Sequence, residues 1–315
     1  VHIAARLARA GVMGINRRNA EFTLRYNRRD RYPLVDDKLK TKRLAEQAGL
    51  CVPELYEVVE IEHQIKGIHE RLARYPDFVV KPAGGSGGDG IVVITGRMKD
   101  HYRKASGAIL TREELDYHLL NILNGMFSLG GYRDHALIEY RVKSDPVFGE
   151  ISFQGVPDIR IVVLLGVPVM AMVRLPTRAS DGKANLHQGA IGTGVDMATG
   201  RTLSAVWRNT VLDEHPDTGN AVTGVRIPQW DRLLHLAARA CDLTGLGYVG
   251  VDFVLDREHG PMILELNARP GLNIQIANRA GLLPRLRAVE EHRAHLADLD
   301  ARIEFAKRRF AAPTS

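Results

Sequence analysis

Apolar positions along the chain fall into two periods. Ile61, Ile65, Ile68 and Leu72 recur at helical spacing and predict a helix over 62–74. Thr111-Arg112-Glu113-Glu114 has the form of a capping box. It opens a second helix with Leu115, Leu119, Ile122, Leu123 and Met126 facing inward. Residues 36–49 read as a helix with acids in the first turn and Gly49 past its end. Another helix is expected over 228–243. A single charged helix over 284–310 should carry Leu286, Val289, Leu296, Leu299 and Ile303 as its apolar line. Short β-branched runs at 77–82, 91–95, 136–142, 159–165, 167–173, 248–255 and 262–266 predict strands, the last two joined as a hairpin. Residues 177–188 form a polar loop. The order is α+β, with antiparallel strands in the middle and helices interspersed. No period of about 20–50 residues repeats, and no run reaches the roughly 18 apolar residues a membrane span needs.

Composition narrows the class. At 315 residues, 45% apolar and 25% charged, the chain reads as a folded, cytoplasmic protein with a mature start. Cys51 and Cys241 lie far apart in apolar surroundings and read as buried hydrophobes rather than redox or zinc residues. The formal charge of +6 is uneven: residues 1–31 hold eight arginines against Glu21 and Asp30. A solvated face is the default for that cluster, because no aromatic stacking pattern accompanies it. A dock for an acidic substrate is the alternative, and neither nucleic acid nor membrane is an expected partner.

Two motifs carry chemistry. Gly85-Ser86-Gly87-Gly88-Asp89-Gly90 matches G-x-G-x-x-G, yet the β-branched run 91–94 follows it where a dinucleotide fold requires a helix. No Gly-Lys-Ser/Thr closes the loop, so a P-loop is excluded as well. Strand, glycine loop and strand remain: a flap whose backbone amides can close over phosphates. Lys81, on the strand entering the flap, needs an anionic partner to offset its desolvation, and a phosphate would supply one. The second motif is the hairpin 251–255/263–267. A turn centred near Glu258-His259 sets Asp252 opposite Glu265, and period-two alternation puts Asn267 on the same face. Two carboxylates and an amide oxygen form a hard-oxygen set suited to Mg²⁺. Arg269 stands beside them as a candidate carboxylate holder or a surface ion-pair partner.

Lys38, Lys81, the glycine flap, Asp252, Glu265 and Asn267, in that order, resemble the ATP-grasp superfamily. Within it, Asp158-Ile159-Arg160, Met172-Val173-Arg174, Asn185-Leu186-His187-Gln188-Gly189 and the run 265–271 resemble the RimK-like α-L-glutamate ligases. The resemblance covers about 38–283. It implies an ATP-grasp fold of two α+β subdomains clasping ATP, with a shortened N-terminal region. The implied divisions are a basic helical segment 1–35, an ATP-grasp domain 36–283 (lid 77–142, metal-binding core 143–283) and a C-terminal helix 284–315. It further implies that Lys38, Lys81, Gly85, Ser86, Gly87 and Gly88 contact ATP phosphates. Glu139, Tyr140 and Val142 would hold adenine, Asp145 the ribose, and Asp158 the cleft wall. Asp252, Glu265 and Asn267 would bind two Mg²⁺ ions, for which Mn²⁺ can substitute. Arg160, Arg174, Asn185 and Arg269 would serve catalysis. Gly250 stands where D-alanine ligases place an arginine, which points away from that branch.

The implied reaction is a carboxylate–amine ligation through an acylphosphate, on an amino acid, a peptide or an acidic protein tail. His187 is a candidate base beside a structural reading as a loop histidine. Phosphoryl transfer to a small molecule and ATP binding without turnover remain as rival readings. The sequence is compatible with a homo-oligomer.

Overall fold

The computed structural model describes residues 2–313 except Ser86 and Leu129, so the expectation for Ser86 lies outside the described residues. The chain divides into two compact units. One comprises 37–39 and 52–142, and the other 1–36, 40–51 and 143–315. The segments 1–35 and 284–315 thus belong to the second unit.

The first unit is an antiparallel sheet of β1 (Leu55–Val59), β2 (Phe78–Pro82), β3 (Val92–Met98), β4 (His101–Lys104), β5 (Ile109–Leu110) and β6 (Ala136–Glu139). Its spatial order is β1-β6-β2-β3-β4-β5. Phe78, Val80, Ile94, Tyr102 and Ile138 of the sheet pack against Ile68, Leu72, Leu115, Leu119 and Ile122 in one core. The helix Arg112–Leu123 opens on the expected capping box, with the Thr111 side chain accepting from the Glu114 amide. Met126 does not face inward as expected but is exposed. The helix has ended at Leu123, and Gly125, with φ of +80°, turns the chain off the helical line. Gly67, with φ of +76°, likewise splits the helix expected over 62–74 into a short turn and Ile68–Leu72, leaving Ile61 exposed.

The second unit carries β7 (Asp158–Leu164), β8 (Val167–Leu175), β9 (Ile191–Val195), β10 (Thr202–Trp207), β11 (Thr210–Leu212), β12 (Tyr248–Asp256) and β13 (Gly260–Asn267). These form an antiparallel sheet in the order β11-β10-β9-β8-β7-β12-β13. The helix Trp230–Thr244 buries Leu233, Leu234, Ala237 and Cys241 and packs on β7, β8 and β12. The C-terminal stretch is two helices, Leu283–His292 and Leu299–Arg309, rather than one. Asp298 accepts the Ala301 amide at 2.7 Å and so caps a fresh helix where the continuous apolar line predicted none. Among the described residues no helix is long and apolar enough to cross a membrane.

The basic N-terminal segment is only partly a solvated face. Arg18 is buried, 9% exposed, and donates to the carbonyls of Arg269 and Pro270 at 3.3 and 3.0 Å. Asn27, also buried, donates to the Tyr248 and Ala268 carbonyls and accepts from the Tyr248 amide. Both side chains therefore satisfy backbone groups where β12 begins and β13 leaves the sheet.

Candidate functional site

In the first unit the glycine loop joins β2 to β3, as the sequence pattern requires. Its ends are held from several directions. The Lys38 amide donates to the Ala83 carbonyl at 3.2 Å, and its ammonium donates to the Gly85 carbonyl. The Gly84 amide donates to both oxygens of Asp134 at 2.9 and 3.0 Å. Gly90 has φ of +75°, and a Cβ there would lie 2.6 Å from the Phe127 ring. Its carbonyl accepts from His118 Nε2 at 2.9 Å, which requires the proton on that nitrogen. Burial lowers the His118 pKa from its ordinary value. Gly87 and Gly88, both at positive φ, form the tip. A side chain at any of these glycines would oppose the turn.

Lys81 has its anionic partner within the protein. Its Nζ lies 2.5 Å from Glu139 Oε1, with the two side chains 5% and 3% exposed. The register explains the meeting, since Lys81 opposes Leu137 and Val79 opposes Glu139, placing the two charges diagonally across β2 and β6. The sequence had left this role to a phosphate. Tyr140, expected to read the adenine edge, gives its amide to the Glu54 carbonyl at 2.8 Å. Val142, the last of the three residues expected to hold adenine, is buried.

In the second unit the hairpin has the expected pairing, with Asp252 opposite Glu265. The outer rungs pair one residue off, Asp256 with Gly260, and a bulge between Asp252 and Phe253 restores the register at the acids. Gly250 faces Asn267, and a Cβ on Gly250 would lie 2.7 Å from Pro270 Cβ, so no arginine fits there. Asn267 Nδ2 donates to Glu265 Oε1 at 3.2 Å and lies 3.5 Å from Asp252 Oδ2.

Adjacent strands extend this polar row. Arg160 on β7 pairs across from Asp252, and Arg174 on β8 pairs across from Asp158. Arg160 grips Asp252 with two bonds, Nε to Oδ1 at 2.7 Å and Nη2 to Oδ2 at 2.5 Å. Arg174 bonds Asp158 through Nε and Nη2 and reaches Asp252 Oδ2 at 2.9 Å. Burial pushes the Asp252 carboxyl up, but the two guanidinium groups win and hold it well below the usual carboxylate range. At Asp158 burial wins over Arg174, and the pKa rises to about 6. Three carboxylates, with Glu265, against two guanidinium groups leave one net negative charge.

The other expected residues make the following contacts. Asp145 Oδ1 accepts from the Val147 amide at 2.9 Å. Asn185 Oδ1 accepts from the His187 amide at 3.0 Å, while His187 Nε2 lies 3.4 Å from Asn273 Nδ2. The exposed Arg269 stacks its guanidinium over the Tyr32 ring, 4.6 Å from the centroid. Sequence reasoning missed Arg18, Asn27, Asp134 and His118, each of which acts on backbone groups. Arg18 is one of an arginine doublet, Asn27 precedes Arg28 and Arg29, and Asp134 lies between Arg133 and His135, so their local sequence did not set them apart.

Among the described residues no three His, Cys, Asp or Glu side chains converge as a metal cage. The candidate set is Asp252, Glu265 and the Asn267 amide, and its chemistry fits Mg²⁺, which binds through one or two carboxylates and takes further oxygens from water and phosphate. Turning the Asn267 amide over would present its oxygen in place of its nitrogen.

A family model described as sugar-transfer associated ATP-grasp matches residues 17–291. A probable alpha-L-glutamate ligase of Maridesulfovibrio salexigens is 31% identical over 122 residues, 39% of this chain and 29% of the relative. One of Thioalkalivibrio sulfidiphilus is 25% identical over 240 residues, 75% of this chain and 56% of the relative. The chain therefore spans little more than half the length of these curated relatives at most. Among solved structures, the ATP-grasp ligase PsnB complexed with a minimal precursor is a remote likeness. It is 15% identical at a TM-score of 0.47, covering 89% of this chain and 62% of that one. The α+β architecture, with two sheet-based units, is that of the ATP-grasp fold expected from the sequence. A match over 275 of 315 residues shows that the chain belongs to the sugar-transfer associated ATP-grasp family.

Proposed function

We propose that the protein is an ATP- and Mg²⁺-dependent carboxylate–amine ligase, close in chemistry to the RimK-like α-L-glutamate ligases. One observation carries the reading: Asp252, Glu265 and Asn267 face one another on β12 and β13, with Arg160 and Arg174 on the next two strands. Family membership and the two α-L-glutamate-ligase relatives support it.

In the proposed reaction a substrate carboxylate attacks the γ-phosphorus of ATP, giving an acylphosphate and ADP. An amine then displaces phosphate and an amide forms. The protein's part is to position groups and offset spreading charge, not to supply a nucleophile. Mg²⁺ held by Asp252, Glu265 and Asn267 would neutralise phosphate charge. Arg160 and Arg174 hold fixed positive charge beside that set, and their bonds keep Asp252 ionised. Lys38 steadies the glycine loop through the Gly85 carbonyl, and the loop's bare amides suit phosphate oxygens. Losing one charge-stabilising group of this kind costs about 2.7–4 kcal/mol of barrier.

The test is release of ADP and phosphate from ATP and Mg²⁺ with pools of amino acids and acidic peptides, read with product mass. Turnover that needs both a carboxylate and an amine, with a product one water lighter than their sum, supports the ligase. A phosphorylated product would replace it with a kinase. Tight ATP binding with no pool stimulating turnover would replace it with a nucleotide sensor.

A further inference from the structure

The formal charge of the whole chain is +6, and residues 1–31 alone carry eight arginines against two acids. All of the protein's net positive charge therefore resides in this one segment, and the remaining residues balance to zero. Seven of the eight arginines, all but Arg18, are exposed.

The same segment exposes aliphatic side chains. In the helix His2–Arg9 every side chain from Ile3 onward is exposed, so among the described residues none buries this helix. At 3.6 residues per turn Ile3, Ala4, Leu7 and Ala8 line one side, and Arg6 and Arg9 lie on the other. Ile3 is 74% and Leu7 49% exposed. Beyond the helix, Ile15 at 61% and Leu24 at 57% stand out of the surface, close in sequence to the exposed Arg17 and Arg25. A surface depression of about 450 Å³ is lined by Val12, Gly14, Ile15, Asn16 and Arg17. The segment is anchored directly after the helix. Gln275 binds both the amide and the carbonyl of the buried Met13, at 2.8 and 3.0 Å.

We propose that residues 3–31 dock the protein on an anionic lipid surface, with Ile3 and Leu7 entering the acyl boundary and the arginines meeting the headgroups. A short basic helix with an aliphatic stripe has the composition of an interfacial helix that lies in the membrane plane. Charge selects this occupant over the others. A second copy would bring two faces of the same sign together. A nucleic acid would meet the arginines but leave Ile3 and Leu7 without a matching surface; of the segment's two aromatics Phe22 is buried, and Tyr26, half-buried, already carries the Arg25 guanidinium over its ring and donates its hydroxyl to Glu290. The inference does not depend on the ligase reading, because none of these residues belongs to either motif.

The experiment is co-sedimentation of the full 315-residue chain with vesicles of phosphatidylcholine alone or with 30% (about one lipid in three) phosphatidylserine, at low and high salt. Binding is expected only to the anionic vesicles and should fall steeply with salt. Ile3→Asp with Leu7→Asp should abolish it. Arg6→Glu with Arg9→Glu should weaken it more than tenfold, since each basic group near such a surface is worth about fivefold. Unchanged melting of both variants would show that folding is intact, as the exposure of these residues requires. No sedimentation, equal binding to neutral vesicles, or binding untouched by the variants would overturn the proposal. So would a concentration-dependent dimer that Leu7→Asp dissociates, which would identify a second copy as the occupant.

Discussion

Glu139→Gln should destabilise the protein far more than its size suggests. The change keeps volume but leaves the Lys81 ammonium, 5% exposed, without a counter-charge. At 2.5 Å separation the pair's gross attraction is about 7 kcal/mol for an effective dielectric near 20, most of it offset by the desolvation of both ions. Breaking such a pair from one side costs about 3–5 kcal/mol, whereas replacing both ions by apolar groups is often neutral or better. Glu139→Gln, Glu139→Leu and Lys81→Met should therefore each cost about 3–5 kcal/mol, and Lys81→Met with Glu139→Leu less than about 1 kcal/mol. Urea unfolding followed by tryptophan fluorescence and by circular dichroism would close the cycle, the two probes testing whether the transition is a single one. Single losses that add within about 0.5 kcal/mol would refute the reasoning, because the two side chains would then not be stabilising one another. Both single variants should also lose ATP affinity if Lys81 and Glu139 take the roles their motif implies.

Three further outcomes follow from the same geometry. Arg18→Met removes the donor to the Arg269 and Pro270 carbonyls and should lower unfolding stability by about 1.5–3 kcal/mol, read from denaturant midpoints; a loss below about 0.5 kcal/mol would contradict a role at the strand exit. His118→Ala frees the Gly90 carbonyl and should raise the KM for ATP about fivefold with little change in kcat, while an unchanged KM would mean the loop keeps its posture without that bond. Burial raises the Cys241 thiol to about 12, so the folded state keeps its proton above the ordinary value near 9, where the unfolded thiol has lost it. Stability from this residue is complete below pH 9 and declines above it, by up to about 1.4 kcal/mol per pH unit, and Cys241→Ala should flatten that slope in unfolding measured between pH 8 and 10.

The parts of the fold legible in the sequence are those written in local periodicity. The strand–glycine loop–strand unit, the Thr111 capping box and the opposition of Asp252 to Glu265 each rest on short-range spacing and were readable. The hairpin pairing survived a turn that is one residue off only because a bulge compensates, which no residue pattern signalled. Misreadings arose where backbone conformation overrides side-chain pattern. Gly125 takes Met126 off its apolar face, Gly67 cuts a helix, and Asp298 restarts one inside an unbroken apolar line. Partners distant in sequence were invisible for a different reason. Lys81 was seen to need an anion, but Glu139 lies 58 positions away and reaches it only through the β2–β6 register. Arg160 and Arg174 are the residues the resemblance assigns to catalysis, but their bonds to Asp252 and Asp158 depend on the order of β8, β7 and β12 in the sheet, which no local pattern carries.

The central claim is that a substrate carboxylate is phosphorylated and then aminated. Its most direct test uses a carboxylate labelled with heavy oxygen, chosen from the pool that stimulates turnover, with mass spectrometry of the phosphate released. Attack by that carboxylate on ATP predicts one heavy oxygen in each phosphate, and Asp252→Asn should suppress the label and the amide product together. Unlabelled phosphate alongside normal turnover, or label retained in a phosphorylated product, would contradict the account.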